Sequence, residues 1–368
     1  MPVRGETRWS VFRRFLFRLA VGANVMAALL LLLCGLSTAA DPAEWPRVAL
    51  FGLGFPVLWG LNLTFVFLWA VFCVRFVWIP LAAMLPSFSY IYDYCPLNWP
   101  EKHPEGALKM ITYNTANFGQ NVRDSLGRSP VVEYLAASDA DIICLQESFA
   151  PRKKKASEVD KLMAAAGYHT PHLDDGHPEY LQVYTRLPVL SAERVVYEEW
   201  GNGSIALKLL FEGDTVLVVN NHFESYKLTQ QDKQTYKELL RDPESGGVEQ
   251  KSRALVDKMA GVSRMRGPQV DSVLRYIDRS GVQAVVACGD FNDPPVSYVC
   301  HRMASRLTSA YRQSGSGFGW TFNQKGFYFR IDHIFVSDYW QTWETHVDKS
   351  APWSDHYPLV TWLKKRKK

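Results

Sequence analysis

Eight side chains stand where β-rich runs stop, and their types point to one chemistry. Asn114 closes Met110–Asn114, Glu147 follows Asp141–Gln146, and His222 ends Val216–His222. Asp290 and Asn292 follow Ala284–Gly289, Asp332 interrupts Arg330–Phe335, and Asp355 and His356 precede Pro358–Leu363. An apolar strand that ends on a carboxylate, amide or imidazole presents that group at one edge of a sheet. Each residue alone has a plain structural reading. A Glu after a strand is usually a solvated loop residue, and Asp290-Phe291-Asn292-Asp293-Pro294-Pro295 reads as a turn. Asn114 can cap a loop, and His222 can be a satisfied, partly buried histidine. Together they form a set of carboxylates, amides and two imidazoles with no thiol. That set suits an oxygen-ligated hard cation such as Mg²⁺ or Mn²⁺ and a phosphate.

The elements that must position these groups are short. Runs rich in Val, Ile, Tyr and Phe recur at Leu108–Asn114, Asp141–Gln146, Leu181–Tyr184, Ser204–Leu210, Thr215–His222, Gln283–Gly289, Arg330–Val336 and Pro358–Leu363. Gly, Asp, Asn or Pro bound them, as expected for strands. Val131–Ala137 and Ser157–Ala166 read as helices. A polar insert, Lys227 to Ser280, carries helical spacing at Val270, Leu274 and Ile277. The pattern is α/β, with sheets covered by helices.

The first hundred residues are different. Leu19–Ala40 and Val48–Val74 contain no charged residue. As helices at about 1.5 Å per residue, each covers a hydrocarbon core of roughly 30 Å. Soluble core helices rarely run this long without a charge, so both read as membrane spans. A third apolar run, Phe76–Tyr92, carries Pro80 and Pro86 and reads as a tilted, kinked or interfacial segment. The expected organisation is an anchor over 1–95 with spans near 19–40 and 48–74 and a third candidate over 76–92. A linker over 96–105, a catalytic domain over 106–363 and a basic tail over 364–368 follow.

Arg4, Arg8, Arg13, Arg14 and Arg18 precede the first span, which places the N-terminus in the cytoplasm. Three crossings put the chain beyond about residue 95 outside the cytoplasm, and two leave it inside. A signal peptide cleaved near Thr38-Ala39-Ala40 is the other reading of the first run, and its apolar stretch is long for that. Of the 41 basic and 37 acidic residues, the first hundred hold seven arginines and four acids, which leaves 34 and 33 for the rest. A nearly neutral domain excludes a general polyanion sponge. Six cysteines without metal spacing exclude a disulfide-stapled miniprotein. Arg152-Lys153-Lys154-Lys155 reads as a solvated loop or a local basic patch. The Lys364–Lys368 tail reads as solvated, or as attracted to anionic headgroups.

From about residue 106 to 363 the chain resembles the endonuclease/exonuclease/phosphatase superfamily, the DNase I-like fold. The matching pieces come in the family's order. They are Thr112-Tyr113-Asn114, Leu145-Gln146-Glu147, Asn220-Asn221-His222-Phe223, Gly289-Asp290-Phe291-Asn292-Asp293, Ile331-Asp332-His333-Ile334 and Ser354-Asp355-His356-Tyr357-Pro358-Leu359. Asn-His-Phe stands where many members have Thr-His-Leu. The apolar runs lie outside the match, although membrane-tethered bacterial members carry similar leaders.

The resemblance implies a four-layer sandwich, two packed mixed β-sheets flanked by helices. It also implies hydrolysis of a phosphate ester with a divalent cation. Glu147 would hold the metal, with Asn114 beside it on the metal shell or a phosphate oxygen, and Asp355 as a secondary ligand. Asp290 would orient or deprotonate the attacking water, and Asn292 would position water or phosphate. His222 and His356 would stabilise the pentacovalent state, and Asp332 would orient His356. Asp290 and His356 both remain candidates for the general base.

The expected protein is a phosphodiesterase of nuclease, phospholipid or inositol-phosphate type. It would be held in the bilayer of a bacterial inner membrane, with its catalytic domain outside the cytoplasm and no obligate protein partner. The alternative is a non-catalytic tethered binding module that keeps the fold.

Overall fold

Alternation along each strand decides which face it buries. The strands are β1 (Leu108–Asn114), β2 (Ile142–Gln146), β3 (Leu181–Thr185), β4 (Val189–Val195), β5 (Gly203–Phe211), β6 (Asp214–His222), β7 (Ala284–Asp290), β8 (Thr308–Ser309), β9 (Phe322–Gln324), β10 (Phe327–Phe329), β11 (Asp332–Val336), β12 (Trp340–Val347) and β13 (Leu359–Lys365). The structure, a computed structural model, describes residues 8–120, 128–148, 158–173, 180–241, 247–324 and 327–366. The run Arg152–Lys155 lies outside them.

Two mixed sheets result. One has the order β12-β13-β1-β2-β3 and the other β4-β5-β6-β7-β11-β8. Each has a central parallel pair, β1 with β2 and β6 with β7, inside antiparallel neighbours. Met110, Ile142, Cys144 and Val183 of the first sheet meet Leu207, Val218, Val286 and Cys288 of the second. The alternate residues face outward. Ile111, Ile143 and Leu145 pack under Val131, Leu135 and Met163, from helices Pro130–Ala137 and Glu158–Ala165. Leu217, Val219 and Val285 pack under Val270, Val273 and Leu274 of helix Val248–Ser280. The helix–sheet–sheet–helix sandwich implied by the resemblance is therefore present.

The eight β-rich runs correspond to β1, β2, β3, β5, β6, β7, β11 and β13, with bounds within two residues. Besides the two- or three-residue β8, β9 and β10, sequence reading missed β4 and β12. Both are edge strands, half exposed, so their residues lack the dense apolar pattern of the interior strands. The polar insert resolves into helices Gln230–Arg241 and Val248–Ser280, the second continuing through Pro268. The basic tail begins inside β13. There Lys364 Nζ donates to Gly106 O, and Lys365 Nζ pairs with Asp214.

Val11–Leu36 and Pro46–Phe72 are long and apolar enough to cross a membrane. Val74–Met84 and Phe88–Tyr94 meet the same test only as a pair bent by 63°. Phe76 packs on Phe17 and Trp69, whereas Tyr90 and Tyr94 pack on Phe55 at the other end of the bundle. Two amides tie the helices together. Asn24 Oδ1 accepts from Trp69 Nε1 at 2.8 Å, and Asn62 Nδ2 donates to Ala27 O at 3.0 Å.

The N-terminal helices dock on the sandwich through the first turns of Pro46–Phe72. Arg47 pairs with Asp257 at 2.7 Å. Gly52 lies so close to Val296 O that a Cβ there would sit 1.9 Å away. The stretch expected as a linker is pinned as well. Leu97 bridges to Ser316, and Asn98 Nδ2 donates to Arg312 O and Gly315 O.

The sheets are also joined by a buried polar clamp directly below the strand ends. Gln146 Nε2 donates to Asn220 Oδ1 at 2.6 Å across the interface. Asn220 Nδ2 answers to Leu145 O at 2.9 Å and Gln182 O at 3.1 Å. Leaving such groups unpaired costs about 1–3 kcal/mol each. Asn220→Ala is expected to lower unfolding free energy by about 3 kcal/mol or more. Denaturant titration of the detergent-solubilised protein measures it, and a loss below about 1 kcal/mol would exclude the clamp as a major tie.

Candidate active site

The parallel pairs bring their C-terminal ends to one side of the sandwich. Register puts His222 opposite Asp290, and Asp332 opposite Asp290 on its other flank. Gly289 makes the approach feasible. Its φ is +130°, and a Cβ there would stand 1.9 Å from Asn221 O. Glu147 and Asn292 both adopt positive φ, at 47° and 53°. Non-glycine residues seldom do so, and such strain collects at functional sites. The Glu147 turn is held by Asn117 N and Thr115 Oγ1, which both donate to its carbonyl.

Asp290 Oδ2 is the hub. Asn114 Nδ2 donates to it at 3.0 Å and to Glu147 Oε1 at 3.1 Å, so one amide joins carboxylates from the two sheets. His222 Nε2 lies 3.6 Å from Asp290 Oδ2 and 3.8 Å from Glu147 Oε1. His356 Nε2 lies 3.7 Å from Asp290 Oδ2. These separations exceed a hydrogen bond and leave room for a third atom. On its other side, His356 Nδ1 bonds Asp332 Oδ2 at 2.7 Å.

Burial drives the electrostatics. It raises the Asp290 carboxyl to about 6, with the facing Asp332 adding to the shift and His356, His222 and Asn114 opposing it. Burial alone would lower His356. The charges of Asp332 and Asp290 outweigh it and raise the imidazole to about 10. His356 is therefore a cation at neutral pH, oriented by Asp332.

The structure thus gathers Asn114, Glu147, His222, Asp290, Asp332 and His356. Asn292 borders them. Its backbone N–H donates to Asp290 Oδ1, and its Nδ2 donates to Phe223 O at 2.9 Å, tying the ends of β6 and β7. Asp355 is placed differently. Its Oδ2 accepts from Gln324 Nε2 at 3.0 Å, next to the β9–β10 hairpin. Sequence reading missed the supports. Arg266, fully buried, pairs with Asp293 at 2.7 Å and lies over Tyr226, fixing the loop after Asp290. Thr321 Oγ1 accepts from the backbone N–H groups of Ile331 and Asp332. Asp293 had a signal as a neighbour of Asn292, whereas Arg266 and Thr321 had none.

The open side of the cluster fits a divalent cation. Glu147 offers a half-exposed carboxylate there, joined through the Asn114 amide to Asp290, whereas in the buried Asp290–Asp332–His356 group, whose polar atoms lie within 4.8 Å of one another, His356 is occupied by its proton and by Asp332. His222 Nε2 and Asp332 Oδ1 are buried without a hydrogen-bond partner, so polar valence is left for a ligand.

Paired sheets whose strand ends gather carboxylates and imidazoles in one cluster are the arrangement of a phosphoester hydrolase. A family model described as the Endonuclease/Exonuclease/phosphatase family matches residues 111–356, and the chain belongs to that family. A second model, a domain of unknown function, matches residues 14–94. No curated protein sequence matches. The human Nocturnin catalytic domain with bound sulfate is similar in structure, with a TM-score of 0.51 and 16% identity over 73% of this chain and 96% of that one. The 3′ phosphatase NExo from Neisseria bound to product DNA hairpin gives 0.47, at 18% identity over 71% of this chain and all of that one. Sphingomyelinase C from Streptomyces griseocarneus gives 0.46, at 18% over 71% and 99%. At these identities the Nocturnin likeness shows the fold.

Asp332→Asn removes the main charge that holds the His356 proton. The His356 ring is expected to titrate well below 10 in that variant, followed by NMR of the imidazole. A folded-state pKa above the unfolded value near 6.5 stabilises fully below pH 6.5, and the gain is lost as pH rises toward 10. Unfolding free energy should therefore fall over that window, and fall less in Asp332→Asn. Equal slopes in the two proteins would overturn the pairing.

Proposed function

We propose that the protein is a membrane-anchored, divalent-metal-dependent phosphodiesterase. One observation carries the reading: Asp290 Oδ2 is ringed by Asn114, His222 and the Asp332-bound His356. Glu147 would hold Mg²⁺ or Mn²⁺ at the open side, with Asn114 beside it. When bound, the cation neutralises phosphate charge and orients the ester for in-line attack. Asp290, more basic than an ordinary carboxylate, takes the proton of the attacking water. His356 already carries its proton, so it acts as a cation on the pentacovalent phosphate, and His222 faces the same gap. This assigns the general base to Asp290. Asp355, one of whose oxygens accepts from Gln324, remains the secondary ligand candidate.

A ridge of exposed aromatics favours a substrate at the membrane surface. Phe318 and Trp320 stack at 5.3 Å and Trp320 meets Tyr328 at 5.4 Å. Phe318 touches Tyr94 of the anchor, and Phe322 of the same hairpin lies edge-on to His356 at 5.1 Å. We therefore favour a lipid phosphodiester over nucleic acid.

The full chain in detergent, assayed on bis(p-nitrophenyl) phosphate with Mg²⁺ or Mn²⁺, tests the mechanism. Asp290→Ala and His356→Ala should each lower turnover by about 10³-fold or more with the fold intact. EDTA should abolish activity, and either cation should restore it. Near-normal turnover in a variant, or full activity in chelator, would refute the assignment. Binding of substrate without turnover would favour the tethered binding module. A panel of phospholipids, inositol phosphates, RNA and single- and double-stranded DNA names the substrate.

The same reading gives a topology. The sandwich touches the start of Pro46–Phe72 at Arg47 and Gly52, the end of the helical bundle opposite the arginine-rich N-terminus. The bent third segment runs from Phe76, beside Phe17, to Tyr94, beside Phe55, as a third crossing would. The catalytic domain then lies outside the cytoplasm, at a bacterial inner membrane. A phosphatase reporter fused after residue 100 should be active outside, and cytoplasmic activity would reverse the orientation.

A further inference from the structure

A second charged feature lies where the anchor meets the sheets. Arg330, two residues before Asp332, is 1% exposed. Its guanidinium lies 4.0 Å over the Tyr311 ring, and it donates to Phe318 O at 3.0 Å and to Asp93 O. Among the described residues no carboxylate pairs with it, because the Asp93 side chain is taken by Arg312. Its Nε has no partner at all. Asp93 lies near enough to act on it electrostatically, but its carboxylate is shared with Arg312, so this buried guanidinium is only partly compensated and favours a further anion.

Space for one adjoins it. A cavity of about 290 Å³ is walled by Arg330, Arg312, His301 and His333 from the sandwich and by Thr38 and Tyr90 from the anchor. Asp93 is the only acid in that wall, and it is already bonded to Arg312. The position has a membrane meaning. Thr38 lies two residues beyond the end of helix Arg8–Leu36, and Tyr90 belongs to the bent third segment. Exposed Trp45 and Trp99 flank this end of the anchor, as aromatic residues do at headgroup depth. Lipid phosphates lie at that depth.

We propose that the cavity binds the phosphate of a membrane phospholipid, with Arg312 and Arg330 as its cationic partners and His301 at its mouth. The lipid would fasten the anchor to the strand that carries Asp332, at a place separate from the reacting centre. The inference rests on the membrane reading given above. Arg330 binds with a buried, fixed guanidinium, whereas Arg312 reaches the cavity from a side chain 38% exposed.

Native mass spectrometry of the full chain in detergent, with added phosphatidylglycerol, tests it. One retained lipid per chain is expected. Arg312→Gln and His301→Glu should each lower its occupancy at least tenfold. Arg253→Gln, at an exposed surface arginine, should leave it unchanged. Circular dichroism checks folding, and His301→Glu decides if Arg312→Gln does not fold. Unchanged occupancy in a folded His301→Glu, or no lipid retained by the wild type, overturns the proposal. A parallel titration with inorganic phosphate separates the sources. Phosphate binding without lipid retention would keep the anion site and reject the lipid. Extraction of the chain from membranes by salt alone would instead mark failure of the membrane reading.

Discussion

Two carboxylates, Asp290 and Asp332, stand on directly paired residues of neighbouring strands, and both are buried. Like charges so placed repel in a medium that screens them poorly. The site is built around that constraint. Asp332 is neutralised by the His356 proton, and Asp290 is held by the Asn114 amide and faces two imidazoles. The balance leaves one carboxyl raised and one imidazole charged at the same gap, so acid–base work at neutral pH follows from packing.

Amides do much of the remaining work because they bond without titrating. Asn114 spans Glu147 and Asp290, Asn220 spans the sheets below them, and Asn292 ties the ends of β6 and β7. Each connects groups from different strands, so the site depends on the relative position of the two sheets. The backbone adds to this: Gly289 lets β6 approach β7, and Glu147 and Asn292 turn through positive φ to aim their side chains.

The N-terminal apolar helices are integrated with this sandwich. Arg47, Gly52 and Asn98 contact it directly, and Asp93 reaches Arg312 and the buried Arg330, two residues from Asp332. Movement of the third apolar segment would therefore be felt at the start of β11. An isolated catalytic fragment would expose the groups that these contacts cover.

Periodicity and composition determined much of this protein. Apolar runs ending on polar residues located eight strands and the residues the fold clusters at their ends, Asn114, Glu147, His222, Asp290, Asp332 and His356, because a strand interior must be apolar and its end need not be. Uncharged stretches located the two long helices for the same kind of reason. Edge strands β4 and β12 were silent, since an edge needs little apolar pattern. Tertiary structure alone decided the rest. Arg266 and Thr321 support the site across long sequence separations, so no local pattern announces them. The contact of Asp355 with Gln324 depends on the hairpin that packs on it. Tertiary structure also set the charge on His356, because a protonation state depends on burial and on the distance to Asp332 and Asp290, and neither is written in the order of residues.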